Sequence, residues 1–141
     1  MEKTKTQYGI NLLAYRNENK ISRPKLAKQT GVTVRKIEKW EWGISEPRYC
    51  DAKTVADCIG VPLSSLCGYD VSAAEKFFSI RDFILWNMRE HGITNKAEFA
   101  KTIGVTAPTV YKFVKGKAEP KINNVVDMLK EFGYYGTEKF V

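Results

Sequence analysis

One residue pattern occurs twice in this chain, at an offset of 73 positions. Setting Gly104 over Gly31 brings Leu26-Ala27-Lys28 onto Phe99-Ala100-Lys101 and Gly31-Val32-Thr33 onto Gly104-Val105-Thr106. In the same register Ile37 meets Val110, Trp40 meets Phe113, Gly43 meets Gly116, Glu46-Pro47 meets Glu119-Pro120, and Ile59-Gly60 meets Phe132-Gly133. Apolar, glycine and proline positions set packing and backbone direction, so agreement at these residue types argues for two copies of one fold. Arg16 lands on Arg89, although the register slips before Phe99: Ile93 lies six residues ahead of it, whereas Ile21 lies five ahead of Leu26.

The first copy is the easier to read. Ser22 is a suitable N-cap, with Pro24 in the first turn of a helix over Arg23–Gln29. Thr33 caps a second helix over Val34–Trp42, which Gly43 stops. Two short helices joined by a tight turn at glycine form a helix-turn-helix, whose second helix fits the DNA major groove. A preceding helix is expected over Thr6–Asn17, with Ile10, Leu13, Ala14 and Tyr15 on its inner face. Further core positions are Leu26, Ala27, Val32, Ile37 and Trp40. A fourth helix, Asp51–Ile59, turns Ala52, Val55, Ala56 and Ile59 inward, and Pro62, Leu63 and Leu66 suggest a short fifth.

These spans place a first domain at 1–68 and a second at 72–141, with Gly68–Val71 between them. Ser72-Ala-Ala-Glu75 has the form of a capping box and should open a long helix reaching Glu90. Phe77, Phe78 and Ile80 exceed the needs of one small core and are expected to pack on the first half or on a second subunit. The aromatic tail Tyr134–Val141 should fold back on its bundle.

Charge narrows the choice of partner. The net charge is +7, and each half shares in it: residues 1–70 hold 12 basic and 8 acidic groups, the rest 11 and 8. A polyanion is the natural complement. No apolar run could span a membrane, and the start of the chain lacks the apolar region of a secretory signal. Cys50, Cys58 and Cys67 form no CxxC pair and read as buried small hydrophobes in a reduced cytoplasm. With His91 as the sole histidine and no ligand-knuckle spacing, neither a metal site nor a cofactor is expected.

Each half resembles the Cro/repressor-type (Xre-like) helix-turn-helix domain. The pattern R(x9)L-A-x3-G-V-T-x3-I-x2-W-E-x-G-x3-P(x12)G runs from Arg16 to Gly60, and a looser version runs from Arg89 to Gly133, with Phe99 for leucine and Phe113-Val114 for W-E. The resemblance implies an all-α chain of two tandem compact five-helix bundles, lambda-repressor-like in type. It implies that Val34–Glu41 faces the major groove, presenting Val34, Arg35, Glu38 and Lys39. Arg35 would fork onto guanine O6 and N7, Val34 would touch a thymine methyl, and Arg23, Thr33 and Lys36 would hold phosphates. Arg16 and Glu41 would pair inside the domain. The second reading helix would be Ala107–Phe113, offering Ala107, Pro108, Tyr111 and Lys112 beside Thr106 and Thr109. There Val114 stands where the glutamate should be, so Arg89 needs another acid.

The implied function is a sequence-specific, phage-repressor-like transcriptional regulator of double-stranded DNA. It would be cytoplasmic, nucleoid-associated and bacterial or phage-encoded. It would act as an intramolecular pseudo-dimer or as a homodimer, with no membrane partner. The alternative is a protein-interaction module, antitoxin-like or adaptor, that kept the fold and lost base readout. The chain offers no phosphate-binding glycine loop and no catalytic constellation, so an enzyme is not expected.

Overall fold

A computed structural model describes residues 6–77 and 79–133. The described residues form ten helices and no strand, and the chain divides into two compact units between Tyr69 and Asp70. Phe78 and the Tyr134–Val141 tail lie outside the described residues, and with them the packing expected of both.

The first unit contains α1 (Gln7–Glu18), α2 (Arg23–Thr30), α3 (Val34–Trp42), α4 (Tyr49–Ile59) and α5 (Leu63–Cys67). Thr6, Ser22 and Thr33 cap the first three, each side-chain oxygen accepting a backbone N–H three residues on. Leu12, Leu26, Ile37, Val55 and Leu66 meet in the core, all fully buried, with Trp40 beside them. The inner face of α1 differs from expectation: Tyr8, Leu12 and Arg16 are buried, while Ile10 is 46% exposed and Ala14 faces solvent. Hydropathy misranked this face because its last member is an arginine whose charge is compensated inside. Ala27 and Val32 are half-buried rather than central.

Two polar contacts tie α1 to the rest of its unit. The Tyr8 hydroxyl donates to the Ala52 carbonyl on α4 at 3.3 Å. Burial, helped by nearby Cys67 and Asp51, pushes its phenol well above the ordinary tyrosine range, so it remains a donor. Asn11 Nδ2 donates to the carbonyls of Ser65 and Leu66 at 3.2 and 2.9 Å, satisfying the end of α5. Of the three thiols only Cys67 is buried; Cys50 is exposed and Cys58 half-buried, its Sγ against Gln29 Oε1 at 3.2 Å.

The second unit contains α6 (Ser72–Glu75), α7 (Ile80–Glu90), α8 (Lys96–Ile103), α9 (Ala107–Lys115) and α10 (Ile122–Glu131). The long helix expected from Ser72 to Glu90 is two helices, because Ser79 adopts an extended conformation and caps α7 through Asp82 N–H. No capping box forms at Ser72. Its N–H and hydroxyl both bond to Asp70 Oδ1, at 2.9 and 2.6 Å, in a local turn. Phe77 packs on Phe83 and Trp86 of its own unit, with ring centroids 5.3 and 5.4 Å apart. The first helix of this unit, α6, rests on α7 and α10, whereas in the first unit it is the last helix, α5, that rests on α1 and α4.

Candidate nucleic-acid interface

In each unit the third helix of the repeat is built in the same way. Thr33 and Thr106 cap α3 and α9, and Gly43 and Gly116 end them in left-handed conformation. The preceding turns pivot on Gly31 and Gly104, with φ of 77° and 76°. Glycine takes this conformation without the Cβ penalty that other residues meet, so each turn is set locally. On α3, Ile37, Trp40 and Glu41 are buried. The opposite side presents exposed Arg35, Lys36 and Glu38, with Val34 and Lys39 half-exposed and exposed Thr33 at its start. The residues named for base contact therefore share one outward face, with the positive end of the helix dipole at its N-terminal turn.

Arg23 is not on that face as a free cation. Its guanidinium grips Glu41, Nε to Oε1 at 2.9 Å and Nη2 to Oε1 at 2.8 Å. Arg16 holds the same carboxylate with a two-pronged fork, Nε to Oε2 at 2.7 Å and Nη2 to Oε1 at 3.1 Å, while its Nη1 donates to the Ile21 carbonyl at 3.1 Å. One buried carboxylate thus locks α1 and the start of α2 to the end of α3. The two arginines position α3, and Arg23, its side chain 33% exposed, does so from the edge of the domain.

The second unit replaces this lock. The ungapped register set Arg89 against Arg16, but Arg89 is exposed and no carboxylate among the described residues pairs with it. Backbone geometry identifies Met88 as the true counterpart. The Ile21 N–H bonds the Arg16 carbonyl at 2.9 Å, and the Ile93 N–H bonds the Met88 carbonyl at 2.8 Å. Left-handed Lys20 (φ 56°) likewise corresponds to left-handed Gly92 (φ 66°). The extra residue is Thr94, between Ile93 and the α8 cap Asn95. Buried Met88 and half-buried Val114 stand where the first unit has Arg16 and Glu41, an apolar solution at a site where an ion pair must offset its own desolvation.

The same shift of register sets Arg81 opposite Gly9. A Cβ on Gly9 would lie 2.2 Å from the Trp40 carbonyl oxygen, so only glycine lets α1 lie this close to the end of α3. Arg81 instead reaches out, and its Nε donates to the Val114 carbonyl in the last turn of α9.

On α9, Val110 and Phe113 are buried. Pro108, Tyr111 and Lys112 are exposed, and Ala107 and Thr109 half-buried. Thr106 Oγ1 and Thr109 Oγ1 bond to each other at 2.8 Å. Lys96 Nζ stands 4.8 Å from the Tyr111 ring centroid. The sequence reading missed two features beside α3: Trp42 and Ile44 are 54% and 53% exposed, and they line a shallow groove with Arg35, Glu38 and Lys39. Glu41 and Gly43 flank Trp42 in the motif and drew attention away from it, although a tryptophan two residues after Trp40 cannot share its inward face.

A sequence model of the helix-turn-helix family matches residues 87–139. That stretch begins in α7 and takes in α8, α9 and α10, so the family resemblance falls on the helix pair α8–α9. The fuller motif was read in Arg16–Gly60, and this match falls on the other copy. No curated protein and no solved structure gives a significant match. No described helix is long and apolar enough to cross a membrane.

Proposed function

We propose that the chain is a sequence-specific DNA-binding transcriptional regulator of the phage-repressor type, built from two tandem domains of one fold and reading the major groove first with α3. The observation that carries this reading is the outward set on α3: Arg35, Lys36 and Glu38 exposed, Lys39 beside them, on a helix held from behind by Arg16, Arg23 and Glu41. Arg35 has the planar fork that suits guanine O6 and N7, and Glu38 can accept from cytosine N4. Val34 suits a thymine methyl, and Thr33 and Lys36 suit phosphate. The +7 net charge, shared by both halves, suits a duplex partner. The regulator is cytoplasmic and nucleoid-associated in this reading, and either a pseudo-dimer within one chain or a dimer of chains.

The deciding experiment replaces Arg35 and Lys39 together by alanine and measures affinity for a selected duplex. Loss of one bidentate base contact is worth about 1–3 kcal/mol, so affinity for the preferred sequence should fall by roughly ten- to a hundredfold or more. A second reading, a protein-interaction module, is favoured by exposed Trp42 and Ile44 in the groove at the end of α3. Unchanged DNA affinity in the double variant would favour that module over the regulator.

A further inference from the structure

The outward face of α9 has a chemistry unlike that of α3. Its first turn offers Ala107 and exposed Pro108, and one turn on stand Tyr111, 51% exposed, and exposed Lys112, whose flexible ammonium suits a phosphate. The hydroxyls of Thr106 and Thr109 bond to each other at 2.8 Å, and Thr106 Oγ1 also accepts the Thr109 N–H at 3.4 Å, so the polar groups of this turn serve the helix cap. The Lys96 ammonium over the Tyr111 ring, at 4.8 Å, restrains that ring beside the start of α8. Ala107, Pro108 and the Tyr111 ring, laid against base edges, would leave donors and acceptors there unmatched, which is unfavourable once water is excluded. The major-groove group that this apolar surface matches is the C5 methyl of thymine.

Resting on the DNA-binding reading above, we propose that α9 discriminates by thymine methyl groups, with Pro108 and Tyr111 as the specificity-determining residues. The two units then ask for chemically different stretches of duplex. Arg35 and Glu38 on α3 favour a G·C-containing part, and α9 favours a thymine-rich part. The site preferred by the full chain is therefore asymmetric in composition even though the two units share a backbone plan.

The test uses the full chain and the duplex it selects from a random pool, with deoxyuridine replacing thymidine one position at a time. Uracil keeps base pairing and lacks only the methyl. Each contacted methyl should be worth about three- to fivefold in affinity, and the sensitive positions should cluster outside the part that responds to Arg35→Ala. In Tyr111→Ala, and in Pro108→Ala with Tyr111→Ala, the uracil penalty at that cluster should vanish while the Arg35-dependent positions keep theirs. Both residues are exposed, so the variants should melt with the parent. Absence of any uracil penalty in the parent, or a penalty that persists unchanged in the variants, overturns the inference and leaves the DNA-binding reading standing. A chain that prefers no duplex sequence at all overturns that reading instead, and the inference with it.

Discussion

At the scale of single residues, Glu41 is the most constrained group of the first unit. Its carboxylate is almost wholly buried between two guanidinium groups. Glu41→Ala leaves Arg16 charged and buried, so chemical denaturation should show a loss of about 3–5 kcal/mol. The double change Arg16→Met with Glu41→Val copies Met88 and Val114 of the second unit, and it should cost less than Glu41→Ala alone; a larger loss would show that the apolar arrangement needs its own surroundings. Tyr8 gives a pH signature. Its folded-state pKa is raised, so its stabilising contribution is complete below the unfolded tyrosine value of about 10 and is lost as pH rises past it, by up to about 1.4 kcal/mol per pH unit. Tyr8→Phe should remove that part of the alkaline decline, seen by comparing melting curves at neutral and alkaline pH. The Arg16–Glu41 tie was legible through the family resemblance. Its apolar replacement was not, because an ungapped register hid the one-residue insertion at Thr94, and only backbone hydrogen bonds and the matched left-handed residues Lys20 and Gly92 reveal it.

At the scale of elements, helix starts and stops were the most readable features, since Ser22, Thr33 and Thr106 act through local hydrogen bonds that depend on few neighbours. The inner face of α1 and the break between α6 and α7 were less readable, because both depend on tertiary partners. Gly9 is such a case: nothing local marks it, yet the Trp40 carbonyl leaves no room for a Cβ. Since that obstacle is backbone, Gly9→Ala should force α1 away from α3 and destabilise the first unit by about 2 kcal/mol or more. The same change should also weaken duplex binding, because α1 supports α3 through Arg16. Full stability with unchanged binding would mean that the two helices can separate without consequence.

At the scale of the whole molecule, the repeat marks two units of similar plan and unlike detail. The first uses a buried charge cluster and a charged outward face, and the second uses an apolar joint and a face of proline, tyrosine and lysine. The helix packing on the first and last helices of the repeat comes from α5 in one unit and α6 in the other. The matched turns at Gly31 and Gly104 and the matched helix ends at Gly43 and Gly116 were readable because glycine sets them locally. The sequence could not show which face residues remain available, since Arg23 and Lys96 are drawn into contacts with Glu41 and Tyr111 that lie far apart in the chain. If the chain recognises duplex DNA by sequence, competition at matched ionic strength shows it. The full chain, titrated with its selected duplex and with a scrambled duplex of equal length, should prefer the former by about a thousandfold or more. Affinity for both should fall steeply as salt rises. Equal affinity for the two duplexes at every salt concentration would contradict it.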